Sequence, residues 1–365
     1  MIKLLIADDS ALMLKCLGDI FKAQGDFEVS FARNGAEALS LAKSLAPDVI
    51  TLDVNMPELD GITCLSRIMV ECPKPVVMVS SLTSDGAEVT LQALSLCAVD
   101  FIAKPDGTVS LHIDKIKVPL VDKVRSAAKA KLRNSRGLLE RVRHRAESGG
   151  ERRLTLDVRR PAIIEQSTAA GSAPAIPGIV LIGVSTGGPG AIETMLPCLP
   201  RNFPWPIIIA QHMPQSFTGV FARRINDLSH LEVIEVQRPV ALRAGMAYIG
   251  RGDADICVAN RGGSLSVIPM PSSPQHIWHP SVERLVTSAL GHVAPDQLLG
   301  VMLTGMGDDG AAAMAELRSR GGRTIAESED SAVVWGMPGE LVKRKGASIV
   351  LPIERIADQL RRWTN

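Results

Sequence analysis

The stretch that most limits what this chain can fold into is residues 179–199, an apolar run followed by Gly183-Val184-Ser185-Thr186-Gly187-Gly188-Pro189-Gly190 and then a helical pattern. Residues 179–182 are all apolar and read as a buried strand. Pro189 suits the first helical position, where its missing N–H costs nothing. A strand, a tight turn and a helix are therefore predicted, with Ser185 lifted onto the bend. The unpaired N–H groups and positive dipole of the helix start then face whatever the hydroxyl meets. Gly183, Ser185 and Gly187 also satisfy the Gly-x-Ser-x-Gly pattern of a nucleophile elbow. Such a turn serves equally to cradle a phosphate or simply to join a strand to a helix, so other parts of the chain must decide.

At 365 residues the chain is long enough for two or three domains, each with its own core. Aromatic residues are 3% of the chain, with a single Tyr, which argues against a base-stacking surface for nucleic acid. A net charge of +1 provides no steering toward polyanions. The six cysteines form no Cys-x-x-Cys pair, so zinc and dithiol redox chemistry are not indicated; they read as reduced, buried thiols of a cytoplasmic protein. The apolar start at residues 2–7 is cut by Asp8 and Asp9, too soon for a signal peptide. No segment approaches ~18 uninterrupted apolar residues, so no membrane span is expected.

The amino-terminal third alternates apolar runs (residues 3–7, 28–32, 49–52, 76–79, 101–103) with helical stretches such as 11–24 and 36–45. That spacing predicts βα units and a parallel, doubly wound sheet. Polar residues follow the runs: Asp8 and Asp9, Asp53, Ser80 and Lys104. In such a sheet the carboxyl ends of the strands line one crevice, so these side chains converge. Three carboxylates in one pocket call for a hard cation such as Mg²⁺. Lys104 and Ser80 then supply a cation and a hydroxyl for phosphate oxygens.

This segment resembles a two-component receiver domain, through Asp8-Asp9, Asp53 in Asp53-Val54-Asn55-Met56-Pro57, Ser80 and Lys104-Pro105. The resemblance implies that Asp53 is the phosphoacceptor, with Mg²⁺ held by Asp9, Asp53 and the Asn55 carbonyl and by Asp8 through water. It implies Ser80 and Lys104 as phosphoryl-binding groups, a cis peptide before Pro105, and Phe101 as the aromatic switch residue. Residues 111–132 look helical, with Pro119 marking a start or a kink. Beyond them lies a basic run containing Arg133, Arg136, Arg141, Arg143 and Arg145, then an Ala, Ser, Gly and Pro-rich stretch over 167–177. A solvated linker over 134–176 is expected.

Residues 177–365 predict a second α/β domain, with strands at 179–182, 207–210, 232–236, 247–249, 256–259, 265–269, 299–303 and 324–326. The three most apolar run into Ser185, into Gln211-His212-Met213-Pro214, and into Thr304-Gly305-Met306-Gly307-Asp308-Asp309-Gly310. If these strands are parallel neighbours, a hydroxyl, a base of near-neutral pKa and an orienting carboxylate meet at one sheet edge, the set a serine hydrolase needs. A rival set is Ser185 with Asp253 or Asp255 and His276, His279 or His292. Those histidines follow no strand, and no HGGG-type oxyanion motif is present.

Ser185 in Gly-Val-Ser-Thr-Gly-Gly-Pro, His212 in Gln-His-Met-Pro and Asp309 in Leu-Thr-Gly-Met-Gly-x-Asp-Gly resemble the three signatures of the chemotaxis protein-glutamate methylesterase (CheB) family. Pro280-Ser281-Val282 and Gly336-Met337-Pro338 fit the same family. The resemblance implies an α/β chain: a (βα)5 receiver over 1–133, a linker over 134–176, and a catalytic domain with a mainly parallel sheet over 177–365. It implies cytoplasmic hydrolysis of glutamate methyl esters on chemoreceptors with release of methanol, and deamidation of receptor glutamines in some members. It implies a triad of Ser185, His212 and Asp309, an oxyanion hole from backbone N–H groups at Thr186 and Met306, and no cofactor for the esterase step. The implied partners are a histidine kinase and methylated chemoreceptors, with no nucleic acid and no membrane embedding. By the same resemblance the unphosphorylated receiver covers the catalytic cleft. Residues 249–255, Ile-Gly-Arg-Gly-Asp-Ala-Asp, depart from the Ala-Pro-Gly-x-x-His-like turn expected there. A response regulator with a non-catalytic binding module at its carboxy terminus is the alternative reading.

Overall fold

The computed structural model describes residues 1–80, 84–104, 109–130 and 176–364. The expected linker, the basic run within it and the peptide before Pro105 lie outside these residues.

The first sheet comprises β1 (Ile2–Ala7), β2 (Phe27–Ala32), β3 (Val49–Asp53), β4 (Val76–Ser80) and β5 (Asp100–Ala103). All pairings are parallel and the order is β2-β1-β3-β4-β5, the doubly wound arrangement expected. Its helices are α1 (Ala11–Lys22), α2 (Gly35–Leu45), α3 (Gly61–Glu71), α4 (Ser84–Ser95) and α5 (Val109–Ala127). The first three begin where a short polar side chain accepts otherwise unpaired N–H groups: Ser10 from Met13, Asn34 from Glu37, Asp60 from Ile62 and Thr63. Pro119 lies inside α5, which ends at Ala127, so the helix expected over 111–132 starts and stops earlier.

The second parallel sheet comprises β6 (Ile179–Val184), β7 (Ile207–Gln211), β8 (Glu232–Val236), β10 (Met246–Gly250), β13 (Leu298–Met302), β14 (Arg323–Glu327) and β15 (Ile349–Leu351). Its order is β15-β14-β13-β6-β7-β10-β8. A small antiparallel sheet is formed by β9 (Val240–Ala241), β11 (Ala254–Arg261) and β12 (Ser264–Pro271). The helices here are α6 (Gly188–Met195), α7 (Gln215–Leu228), α8 (Val282–Leu290), α9 (Ala311–Ser319), α10 (Met337–Lys343) and α11 (Ile353–Thr364). Every residue of β6, β7 and β13 is buried, as expected for central strands covered on both faces.

The segments carrying both parallel sheets belong to one compact unit. Phe101, at the end of the first sheet, meets Phe217 of α7 at 4.3 Å between ring centroids. All six cysteines are free, but only Cys64 and Cys257 are buried and Cys198 is exposed, which corrects the expectation of uniformly buried thiols. Among the described residues no helix is long and apolar enough to cross a membrane.

Candidate active site

Strand order brings the three predicted strand ends together. β6 lies between β13 and β7, with Met302 opposite Gly183 and Val184 opposite Gln211. Ser185 and His212 therefore leave the sheet side by side, and the turn after β13 returns beside them. The elbow is held by its backbone: Ser185 N donates to Thr304 O at 3.0 Å, and Gly188 N donates to Ser185 O at 2.8 Å. Gln211 Nε2 donates to the same carbonyl at 3.0 Å. Gly187 sits at φ +77°, and a Cβ there would come within 2.6 Å of Val333 Cβ, so both conformation and space require glycine. A Cβ on Gly305 would lie 2.8 Å from Ser185 Cβ, so this glycine lets the Asp309-bearing turn approach the serine.

His212 Nε2 and Asp309 Oδ2 are 2.9 Å apart, and both side chains are almost wholly buried. Asp309 also accepts from Val282 N at 2.7 Å, from Ser281 Oγ at 3.0 Å and from Glu283 N at 3.1 Å. The carboxylate thus sits on the amino terminus of α8, among N–H groups that a helix leaves unpaired. Burial pushes its carboxyl upward, but the His212 bond and charge and the Val282 and Glu283 N–H groups outweigh burial and hold it below the usual range. An ionised carboxylate only accepts, so Nε2 carries the proton and Nδ1 presents its lone pair. Nδ1 is buried and has no hydrogen-bond partner among the described residues. Among the described residues no hydrogen bond joins Ser185 Oγ to His212, a bond that commonly tightens only with substrate.

Asp308 points away to pair with Arg344 at 3.2 Å and is exposed, which separates it from its neighbour. The rival acid and base do pair, His279 Nδ1 with Asp255 Oδ1 at 2.9 Å, but Asp255 also accepts from Ser281 N and Arg284. Among the described residues no hydrogen bond links that pair to Ser185. The departing turn at 249–255 packs on α7: Gly252 N donates to Thr218 Oγ1 at 3.2 Å and Asp253 Oδ2 accepts from Gln215 N at 3.4 Å.

The backbone N–H groups of Thr186 and Met306 donate no hydrogen bond among the described residues. Both residues are touched by the amino-terminal segment, Thr186 from β5 and Met306 from α5. Thr186 Oγ1 donates to Asp100 Oδ2 at 2.5 Å, and Ser126 Oγ of α5 donates to Met306 Sδ. Asp100 is also paired with Lys123 at 2.9 Å, and Lys123 Nζ donates to Phe101 O.

At the far end of the first sheet, ligand atoms of Asp8, Asp9 and Asp53 lie within 4.8 Å of one another. Such an all-oxygen cluster fits a hard divalent cation, with Asn55, an exposed residue, two positions after Asp53. Lys104 Nζ stands 2.9 Å from Asp8 Oδ2 and 2.8 Å from Asp53 Oδ2. Burial lowers the Lys104 ammonium, but Asp53 and Asp8 outweigh that and hold it above its usual value. Ser80 Oγ donates to Gly86 O at 3.3 Å. Burial, with Asp8 nearby, pushes the Asp53 carboxyl up to about 6 despite Lys104.

A raised carboxyl favours folding below the unfolded value near 3.8 and loses that contribution as pH climbs to about 6. The loss amounts to about 3 kcal/mol. Asp53→Asn is therefore expected to stabilise the cation-free protein by about 1–3 kcal/mol at pH 7.5 and by little near pH 4. Urea midpoints at the two pH values check this; an equal effect at both contradicts it.

Comparison with known proteins agrees with the two-part construction. A response regulator receiver domain model matches residues 4–113 and a CheB methylesterase model matches residues 180–360. The class is thus a response regulator whose receiver is joined to a methylesterase-type α/β domain. A protein-glutamate methylesterase/protein-glutamine glutaminase of Rhodospirillum rubrum is 57% identical over 363 residues, covering 100% of this chain and 96% of its own. One of Rhodopseudomonas palustris is 53% identical over 365 residues, covering 100% and 99%. The crystal structure of the Thermotoga maritima CheB methylesterase catalytic domain is 34% identical, covering 51% of this chain and 97% of its own, with a TM-score of 0.49. The chain belongs to the CheB family of protein-glutamate methylesterase/protein-glutamine glutaminases.

Proposed function

We propose that the protein is a phosphorylation-activated serine hydrolase that cleaves glutamate methyl esters on chemoreceptors, releasing methanol, and that also deamidates receptor glutamines. The observation that carries this reading is the meeting of Ser185, His212 and Asp309 at adjacent parallel strand ends, with His212 and Asp309 joined at 2.9 Å. Ser185 Oγ attacks the ester carbonyl while His212 Nδ1 takes its proton; Asp309 keeps the proton on Nε2 and stabilises the imidazolium. The N–H groups of Thr186 and Met306 face the oxyanion, a term worth about 3 kcal/mol per donor in other hydrolases. Collapse expels methoxide, which leaves as methanol with the proton from His212. Water, deprotonated by the same ring, then releases the glutamate side chain and regenerates Ser185. A purely anion-binding turn has no use for the buried imidazole–carboxylate pair, which disfavours the non-catalytic alternative.

Control comes from the receiver. Asp53 accepts the phosphoryl group from a histidine kinase, with Ser80 and Lys104 binding its oxygens. Asp9, Asp53 and the Asn55 carbonyl, with Asp8 acting through water, would hold Mg²⁺, which would supply positive charge to the phosphoryl oxygens. The Asp100–Thr186 and Ser126–Met306 contacts support a resting state in which the receiver occupies both sides of the oxyanion hole. Phe101 and Lys123 adjoin Asp100, so a dianionic group at Asp53 has a short route to that interface.

The test is methanol release from methylated chemoreceptor membranes with and without a small-molecule phosphodonor and Mg²⁺. Release is expected to rise with the donor in the native protein and to lose that response in Asp53→Asn. No release from any methylated receptor while Asp53 is phosphorylated defeats the proposal.

A further inference from the structure

We infer that Trp278 is a positioning residue for His212, its indole face fixing the plane of the imidazole and covering the cation formed when the ring takes the serine proton. The inference rests on His212 being the general base. The two rings are stacked, with centroids 5.7 Å apart and planes 12° from parallel. The single bond from Nε2 to Asp309 sets one edge of the imidazole but leaves the ring free to pivot about that contact. A flat surface against its face removes this freedom, so the Nδ1 lone pair stays directed along one line. An aromatic face also attracts the imidazolium more than the neutral ring, and the attraction is larger where water is excluded.

The indole also reaches the turn that carries Asp309. A Cβ built on Gly307 would lie 3.6 Å from Trp278 Nε1, so the ring extends from His212 to the turn that follows Met306. Trp278 thus borders both the base and the turn assigned to the oxyanion hole.

A residue with this duty needs a firm support, yet Trp278 lies between β12 and α8 in a segment without helix or strand, beside the 86% exposed Ile277. The support is Asp255, whose side chain is fully buried. It accepts from His279 Nδ1 at 2.9 Å, from Ser281 N at 2.7 Å and from Arg284 Nη1. Burial raises the Asp255 carboxyl, but His279, the Ser281 N–H and Arg284 prevail and keep it low, hence charged. Ser281 in turn donates to Asp309. One buried carboxylate therefore anchors the chain that presents Trp278 to the face of His212 and the chain that cradles Asp309.

The test compares Trp278→Ala, Trp278→Leu and Trp278→Phe in the full chain, with phosphodonor, Mg²⁺ and methylated receptor membranes. Trp278→Ala is expected to lower kcat about tenfold with KM within about twofold, Trp278→Leu to resemble it, and Trp278→Phe to stay within about threefold of native. An unchanged kcat in Trp278→Ala, equal rates for Leu and Phe, or a loss confined to KM overturns the inference. A second readout needs no turnover: in protein carrying ¹³C-labelled histidine, the His212 ring signal, identified by its loss in His212→Gln, is expected upfield in the native protein and in Trp278→Phe. It is expected to lose that shift in Trp278→Leu. Absence of the shift in the native protein overturns the stacking, whereas a shifted signal in a protein without Ser185-dependent esterase activity overturns the hydrolase reading instead. Thermal melts of all three variants exclude a folding defect, and the Leu–Phe comparison stands if Trp278→Ala does not fold.

Discussion

On the proposed mechanism, Ser185→Ala is expected to lower kcat for ester hydrolysis by about 10⁴–10⁶-fold, the range seen when the nucleophile of a serine hydrolase is removed. The loss is confined to chemistry. Ser185 Oγ makes no hydrogen bond among the described residues, and the elbow is held by Ser185 N, its carbonyl and Gln211 rather than by the hydroxyl. Stability is therefore expected to change by less than about 0.5 kcal/mol. Phosphorylation of Asp53 is expected to proceed at the native rate, because the acidic pocket lies in the other sheet. Methanol release, urea unfolding and incorporation of labelled phosphate measure the three effects separately. A Ser185→Ala protein with a tenth or more of native activity removes the serine from the mechanism.

Asp309→Ala is expected to be nearly as damaging to kcat, about 10³–10⁴-fold, and far more damaging to the fold. Four donors lose one acceptor: His212 Nε2, Val282 N, Glu283 N and Ser281 Oγ. Leaving buried donors unpaired costs about 3 kcal/mol or more in total. The charge adds a pH signature. A carboxyl held below its usual value contributes stability above about 3.8 and loses it as pH falls through the lower folded value. The gap in stability between the native protein and Asp309→Asn is thus expected to be full near neutrality and to close in acid. Asp308→Ala serves as the internal control, since this exposed side chain pairs only with Arg344 among the described residues. It should leave activity within about twofold and stability within about 0.5 kcal/mol. Equal losses at both positions contradict the assignment.

Much of this was legible before any coordinates. Apolar runs ending in glycine or in an acid mark strands that stop at a sheet edge, and the periodicity between them marks helices. Ser185, His212, Asp53 and Lys104 could be named because each lies within three residues of the end of such a run. Two short strands escaped notice, Val240–Ala241 and Ile349–Leu351. Trp278 escaped because nothing in Gln-His-Ile-Trp-His-Pro signals that its ring lies against a histidine 66 positions away in the chain. The sequence placed Ser281 among residues fitting the family but offered no hint that it both caps α8 and donates to Asp309.

Local pattern alone determined that the chain is α/β, that two sets of strand ends gather polar side chains, and which side chains stand at them. Tertiary structure decided that β6 lies between β7 and β13, that Asp309 rather than Asp308 meets His212, and that Nδ1 is the ring nitrogen without a hydrogen bond among the described residues. It also decided that Asp100 and Ser126 of one sheet's layer touch Thr186 and Met306 of the other. The division has a physical cause. Strand formation follows from neighbouring residues, whereas strand order and side-chain contact follow from burying apolar faces contributed by distant segments, and no local spacing encodes that choice.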